Sequence, residues 1–416
     1  ELQKYHYRTM YMKMSEISDY LDDRIETFMK IVSEHHKVPM EDFGNPVSLS
    51  HSDIAVVGRI VSDEDGKLQK GTLALEPCAH IGGGERVRLD ASALQEELLF
   101  PGQIVALKGR NSGGKLFKVN SRLPFPSLLH PASPRQEILR FSNYTAPLSL
   151  VVASGPYTTD TDLDFKPLQH IVQRSIQAMA SAVILFGPFI DDSHPLVKRG
   201  EFPYLADNTN PPLESLFIDK ISPILNDLPK HTPVFLVPHA RDAVNVHISY
   251  PQDRFDRKLL QLKGSVKTLT NPCIVSLDGV VIAVNNIDVF NDIDSTRLKQ
   301  HNDDIVSSIA REVFQQRCFY PVFPEGSGLI DVPFMGLSEF EETKPDLYIN
   351  PSSMPPFEKV VEGVVCVNPG SVVNQNAYGH YSIVRVARLG NSDIAEDEGD
   401  MIAHKAEMRT RVERIS

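Results

Sequence analysis

Residues 181–192 read Ser-Ala-Val-Ile-Leu-Phe-Gly-Pro-Phe-Ile-Asp-Asp and set two carboxylates, Asp191 and Asp192, directly behind an apolar run. Val183 to Phe186 is short and wholly apolar, and Gly187 and Pro188 follow it, which is the pattern of a buried strand ending in a loop. The stretch is close to Gly-Asp-x-x-Asp, a strand end whose first carboxylate can bridge two metal ions. Pro188 stands at that first position. A proline carries no ligand atom, whereas divalent cations need carboxylate or imidazole donors there. The other candidate donors are His194, His239 and His247, which with Asp191 and Asp192 would have to be fixed around two bridged ions. Part of this set lies in a polar insertion, and a solvated surface group explains each member at least as well. The expectation is therefore no catalytic residue, no metal and no cofactor. Arg241 and Asp242, which follow a strand, are expected to pair with one another and fix their loop.

Two further stretches invite a chemical reading. Residues 109–115, Gly-Arg-Asn-Ser-Gly-Gly-Lys, fit the spacing of a phosphate-cradling loop. Leu116 stands where such a loop needs a magnesium-binding hydroxyl, and the sequel Leu-Phe-Lys-Val-Asn alternates like a strand. A glycine-rich hairpin is the better reading. The Gly82–Gly84 run reads as a mobile loop tip. His35 and His36 close a helix, where basic groups complement the dipole and cap rather than ligate.

The elements that must position these residues follow from periodicity. Residues 11–38 place Ile17, Leu21, Ile25, Phe28, Ile31 and Val32 three and four apart, an amphipathic helix stopped by Pro39. The period then becomes two. Strands are expected at 54–60, 72–75, 86–89, 104–107 and 116–119, with a short helical break at 92–99 before the fourth, which is the order of an OB-type barrel. Prolines crowd residues 123–134, a stiff connector with little regular structure. Beyond it strands and helices alternate: strands at 148–152, 182–186 and 234–237, helices at 165–180 and 213–228, then a hairpin of 274–277 with 280–284. A helix at 305–314 and strands at 346–349, 363–367 and 381–386 complete a mixed α/β sandwich. The charged tail, residues 392–416, reads as a solvated helix.

The chain has 416 residues, enough for two or three domains at about 150 residues each. Its net charge of -12 argues against a chain that grips nucleic acid unaided, because that affinity comes mainly from neutralising phosphates. No apolar run approaches the ~20 residues that cross a bilayer. Cys78, Cys273, Cys318 and Cys366 lie far apart and form no Cys-x-x-Cys pair, which suits a reducing compartment rather than a disulfide framework. The sequence opens at Glu1 without a methionine, as a piece of something longer would.

Four segments carry a family resemblance: Phe-Gly-Pro-Phe-Ile-Asp at 186–191, Val-Pro-His-Ala-Arg-Asp at 237–242, Tyr-Pro-Val-Phe-Pro at 320–324 and Val-Cys-Val-Asn-Pro-Gly-Ser at 365–371. From the barrel to Leu389 the chain resembles the DNA polymerase alpha B subunits, within the B-subunit family of replicative polymerases. That resemblance implies an OB barrel joined to a calcineurin-like metallophosphoesterase domain whose active-site motifs have decayed. An active enzyme's Asp-x-His would fall at Ser154 and Pro156. The Gly-Asp-x-x-Asp keeps Gly187 and Asp191 but has Pro188. Gly-Asn-His-Asp becomes roughly Pro238 to Arg241, His239 among them, losing the asparagine ligand and the catalytic histidine in any near register. The later histidine positions fall at Asn286 and at Ser353.

By resemblance, the chain would be a non-catalytic scaffold of the DNA polymerase alpha–primase complex in replication initiation, located in the nucleus. It would clasp the C-terminal, zinc-containing region of the catalytic subunit, reach the primase subunits through the complex, and meet DNA indirectly. The domains implied are residues 1–45, a helix packed on the phosphoesterase domain; 46–123, the barrel; 124–145, the connector; 146–390, the inactive phosphoesterase domain; and 391–416, the charged segment. The rival readings are an active metal-dependent phosphodiesterase or nuclease, a single-stranded nucleic-acid binder using the barrel, and a partner of the delta or epsilon polymerase. Phe117 is the main aromatic residue of the barrel strands, so stacking platforms for a nucleic acid are scarce.

Overall fold

The computed structural model describes residues 2–63, 67–94, 96–142, 146–201, 212–299, 303–324, 326, 328–390 and 400–416. Helix α1, Met14–His36, comes first and is followed by a closed barrel of β1 Ile54–Ser62, β2 Leu73–Pro77, β3 Val87–Asp90, β4 Ile104–Arg110 and β5 Leu116–Arg122, in the order β1-β2-β3-β5-β4. Alternate residues such as Val56, Ile60, Leu75, Leu89, Val105 and Phe117 fill the barrel, as the period of two demands. Of the Gly109–Lys115 segment, Gly109 and Arg110 end β4 and residues 111–115 turn the chain into β5, which pairs antiparallel with it. Residues 92–99 are not helical where described. Asp90 Oδ1 accepts the Ser92 amide at 3.1 Å and starts a turn, and Leu94, Leu98 and Leu99 are buried individually instead of along one helical stripe. A short helix α2, Ala79–Gly82, precedes β3 instead, so Gly82–Gly84 is a helix end rather than a loop tip. Gly83 closes it at φ 64°, a conformation that favours glycine.

Helix α1 has two partners because its apolar stripe is long. Ile25, Phe28, Met29 and Val32 pack on Val57, Ile104, Ala106 and Phe125, whereas Ile17, Tyr20 and Leu21 pack against the cluster containing Ile330, Val332 and Met335 in the second domain. Arg24 adds an ion pair to Glu339 at 3.1 Å and donates to the Gln316 carbonyl at 2.6 Å. Below the helix the Gln316 side chain pairs with both main-chain groups of Ile104, each at 2.8 Å. Glu312 meanwhile binds Arg122 at 2.9 Å and Gln103 at 2.8 Å.

The connector contains more regular structure than proline content suggests: β6, Ala132–Pro134, and α3, Arg135–Ser142. The second domain then builds two sheets. Its strands and helices run β7 Leu148–Ser154, α4 Lys166–Gln177, β8 Ala182–Phe186, α5 Pro195–Arg199, a helical run of α6 Pro212–Leu216, a π turn Phe217–Ile221 and α7 Ser222–Asn226, and β9 Val234–Val237. They continue with β10 Val266–Thr268, β11 Cys273–Leu277, β12 Val280–Val284, α8 Val289–Thr296, α9 Ile305–Gln315, β13 Leu347–Ile349, β14 Phe357–Val361, β15 Val364–Asn368, β16 Val373–Asn374, β17 Ala377–Tyr378, β18 Tyr381–Val386, β19 Met401–Ala403 and β20 Thr410–Ile415. One sheet has the order β10-β9-β8-β7-β18-β20 and the other β11-β12-β13-β15-β14.

The sandwich follows from strands that are apolar on both faces. In β8, Ala182, Ile184 and Phe186 face the second sheet, while Val183 and Leu185 face the side covered by α4 and the helical run. Ile282, Val284, Leu347, Ile349 and Val367 answer from the second sheet, whose outer face is closed by α8 and α9. The layers are thus helix, sheet, sheet, helix, a mixed α/β sandwich beside the closed barrel.

The tail is not a solvated helix. β19 pairs with β6, and β20 adds itself antiparallel to β18 as an edge strand. In Thr-Arg-Val-Glu-Arg-Ile the apolar residues Val412 and Ile415 are three apart and so turn to opposite faces, one to each core, and this pairing overrides the charge content. His404, buried between Asp346 at 2.7 Å and Ser133 at 3.0 Å, pins the segment; residues 391–399 lie outside those described. No described helix is long and apolar enough to cross a membrane.

Candidate functional site

Strands β7, β8 and β9 are parallel, and their register sets Ser154 opposite Phe186 and Phe186 opposite Val237. Their C-terminal ends are therefore level, and the loops that leave them share one mouth, where open α/β sheets hold ligands. In the second sheet β12, β13 and β15 are also mutually parallel and send their following loops to the same place. The result is a cleft of about 500 Å³ that contains Ser154, Pro156, Gly187, Pro188, His239, Asn286 and Ser353 in its walls. Seven of the eight positions picked from sequence thus meet. The eighth, Asp191, sits behind the wall, 8% exposed.

The polar groups of this cleft are occupied with holding loops. Asn286 Nδ2 donates to the carbonyls of Gly187 at 3.2 Å and Pro238 at 3.0 Å, tying the end of β12 to the loops after β8 and β9. Asp288 accepts from Ser352 Oγ at 2.5 Å and from the Ser353 amide and hydroxyl at 2.7 and 2.6 Å, and also caps α8 through the Asn291 amide at 3.2 Å. Ser371 Oγ bridges the carbonyls of Gly155 and Val373 at 3.0 and 2.7 Å. Asp191 Oδ1 accepts the amide and hydroxyl of Ser193 at 2.8 and 2.6 Å.

Arg241 and Asp242 do not pair with each other. The turn after Pro238 folds the Asp242 carboxylate back onto main-chain amides, Phe189 at 2.5 Å and His239 at 2.9 Å, while Arg241 reaches outward to Asp191 Oδ2 at 3.5 Å. Burial pushes the Asp242 carboxyl up to about 7, against the pull of those amides. Burial likewise pushes the His239 imidazole down to about 4, with the Arg241 charge acting in the same direction. Burial and then the neighbouring Asp191 raise Asp192. Gly187 is required here, since a Cβ on it would lie 2.0 Å from Asp242 Oδ2.

The histidines do not assemble with the aspartates. His194 caps α5, accepting the Leu196 amide on Nδ1 at 3.2 Å and meeting the Thr159 carbonyl through Nε2 at 2.8 Å, so both ring nitrogens are engaged. His247 lies in another cleft, described below. Among the described residues no three His, Cys, Asp or Glu side chains gather so as to hold a metal ion. The donors present do not fit two bridged cations: Pro188 supplies no ligand atom, and Asp191 and Asp242 are turned onto amides and hydroxyls. His36 lies in the last turn of α1, but its Nε2 is 2.8 Å from the Pro124 carbonyl of the connector rather than from a carbonyl of the helix.

Sequence reasoning missed the brace behind the cleft. Asn285 Nδ2 donates to the Phe319 carbonyl at 3.2 Å, Asn350 Nδ2 to those of Asn285 and Ile287 at 2.9 and 2.8 Å, and Asn368 Nδ2 to that of Met354 at 3.1 Å. The signal was available: three apolar runs of the second sheet each end in asparagine, at Val284-Asn285, Ile349-Asn350 and Val367-Asn368.

Comparison with known proteins places this geometry in a family. Residues 150–359 match the family of DNA polymerase alpha/epsilon B subunits, and residues 18–125 match the family of OB domains from DNA polymerase alpha B subunits. The chain is 35% identical over 427 residues to the DNA polymerase alpha B subunit of Schizosaccharomyces pombe, covering 99% of this chain and 73% of that one. The Saccharomyces cerevisiae protein of the same name is 34% identical over 467 residues, covering 100% of this chain and 66% of its own length. The Mus musculus protein is 27% identical over 392 residues, with 92% and 62% covered.

Proposed function

The chain belongs to the family of DNA polymerase alpha B subunits, and from that premise we propose that it is a non-catalytic scaffold of the DNA polymerase alpha–primase complex. In this reading it acts in the nucleus at the initiation of replication. The barrel and the phosphoesterase domain together clasp the zinc-containing C-terminal region of the catalytic subunit. Primase subunits and DNA are reached through that complex. The bodies that do this are the barrel at 46–123 and the phosphoesterase domain at 146–390, with the helix of 1–45, the connector of 124–145 and the tail of 391–416 joining them.

The observation that carries the reading is the state of the cleft. Where a hydrolase would present a bridging carboxylate, imidazoles and an activated water, this chain has Pro188, Ser154, Asn286 and Ser353, and the polar groups around them are spent on stapling one loop to another. A scaffold needs that rigidity more than an open coordination site. The junction through Glu312, Arg122 and Gln316 also favours one two-domain body, able to offer the roughly 1,200 to 2,000 Å² that a stable interface buries.

The test is retention of this chain by immobilised C-terminal regions of the alpha, delta and epsilon catalytic subunits. Retention by alpha alone is expected; equal capture by delta or epsilon would sink the assignment. Manganese-dependent cleavage of a phosphodiester that disappears in Asp191→Ala would instead establish the hydrolase reading.

A further inference from the structure

A second cleft, about 1290 Å³, opens between the N-terminal segment and the loop that precedes β10. It differs from the first in its basic lining and in one protruding aliphatic tip. Val246, at its edge, is 89% exposed, the most exposed large apolar side chain among those described. Leu259, at 44%, lines it as well, and Met10, at 51%, ends the N-terminal segment that borders it. The grouping is real in space, not only in sequence. The Met10 amide donates to Asp331 at 3.0 Å, Asp331 also holds the Ser249 hydroxyl, and its amide donates to the Tyr250 carbonyl at 2.9 Å.

The exposure is also built rigidly. The turn that carries Val246 is pinned on both sides: Asn245 Oδ1 accepts the His247 amide at 3.2 Å, His247 Nδ1 accepts the Asp253 amide at 3.0 Å, and Gln252 Nε2 donates to the His247 carbonyl at 2.9 Å. Tyr7 then stacks on Phe334 at 3.7 Å and sets its edge to the His247 ring at 4.6 Å. A fixed apolar tip loses little freedom on binding, which favours association.

The polar lining says what kind of partner fits. Arg8, Arg254, Arg257 and Lys258 outnumber Asp253 and Asp256. Those two acids are already engaged, Asp253 with His6 at 2.5 Å and Asp256 with the amides of Lys258 and Leu259 at 2.8 and 3.1 Å. Flanking Val246, Asn245 Nδ2 and His247 Nε2 are buried with no hydrogen-bond partner; since His247 Nδ1 is an acceptor, its Nε2 carries the hydrogen, so both are donors. The wall is thus rich in cations around an aliphatic tip. A nucleic acid would favour aromatic platforms over Val, Leu and Met, and a second copy of the chain would bring like charges together.

We propose that this face, running from Arg8 and Met10 across Val246 to Arg254 and Lys258, docks an acidic, apolar segment of the catalytic subunit's C-terminal region. The inference rests on the functional reading above and adds to it the surface and the chemistry of its occupant. The experiment measures the affinity of the full chain and three surface variants for that purified C-terminal region. Val246→Asp is expected to weaken binding by about tenfold or more, as loss of a central apolar anchor does. Arg254→Glu with Lys258→Glu is expected to weaken it by about tenfold at low salt and by less at high salt. Met408→Asp, in the exposed C-terminal tail, changes it less than about twofold, within the usual effect of a residue outside an interface. If the unaltered chain binds while both cleft variants bind as tightly, the surface is wrong and the reading stands. If the unaltered chain does not bind, the reading itself falls. Self-association, or binding of a thymidine oligonucleotide, that is lost in Val246→Asp without loss of partner affinity would assign the face to that occupant and overturn the proposal.

Discussion

The two clefts of the phosphoesterase domain lie on either side of the 244–250 loop and have been built to opposite ends. In the cleft at the strand ends, asparagine and serine side chains are spent on main-chain carbonyls, and aspartates accept amides and hydroxyls. In the cleft beside the N-terminal segment, the buried donors Asn245 Nδ2 and His247 Nε2 lie without acceptors beneath the exposed Val246. A saturated pocket has little left to offer a ligand, whereas an unsaturated one is incomplete by itself. The difference separates a cleft whose polar side chains brace its own loops from one that leaves an aliphatic tip in solvent.

The sharpest way to break the comparison is to remove a brace. Asn286→Ala strands the buried carbonyls of Gly187 and Pro238, and the cost expected is about 3 kcal/mol, from two lost bonds and their desolvated acceptors. Asn286→Asp, which keeps the shape but loses the donor, is expected to be at least as damaging. A thermal midpoint unchanged in both variants would show that the cleft is not braced at all. Next in size is Gly187→Ala, whose Cβ would meet Asp242 Oδ2 at 2.0 Å; displacing that carboxylate from its amides is expected to cost about 2 kcal/mol in chemical denaturation.

The paired shifts of Asp242 and His239 offer a subtler probe. With a folded value raised from 3.8 to about 7, Asp242 keeps its proton where the unfolded chain has lost it, so its contribution is fully present below about 4 and is lost as pH rises through 7. His239, lowered from 6.5 to about 4, stays neutral where the unfolded chain takes up a proton, so its contribution is present above about 6.5 and is lost as pH falls through 4. Between those limits the two slopes oppose one another. Asp242→Asn removes the first and leaves the second, and the variant is expected to lose stability on acidification from pH 6.5 to 4 more steeply than the unaltered chain. Equal slopes in urea midpoints across that range would refute the assignment.

What was legible in the sequence follows the same physical divide. Elements with a strong period were readable: α1 from its stripe, the barrel strands from alternation, and β8 from an apolar run that serves two cores. The positions of the cleft were readable too, because strand ends are marked by glycine, proline and asparagine. The 92–99 segment misleads because each leucine is buried by a separate turn, and the tail misleads because the apolar residues of its strand, Val412 and Ile415, stand three apart among charges. Asp242 shows the limit on side-chain roles. Its neighbour Arg241 invites an ion pair, but the choice between Arg241 and the amides of Phe189 and His239 depends on a loop 53 residues away in the chain.

The smallest expected effect completes the contrast. Val246 touches solvent over most of its surface, and the bonds that pin its turn come from its neighbours' main chain and from Asn245 and His247, not from its own side chain. Val246→Asp therefore removes no buried area and orphans no group, and its effect on folding is expected to stay within about 0.5 kcal/mol. Arg254 and Lys258 line the same cleft, so the new charge enters a basic surrounding. A loss of stability comparable to that of Asn286→Ala would mean that Val246 is covered within the folded chain. That would erase the distinction between the saturated cleft and the open one.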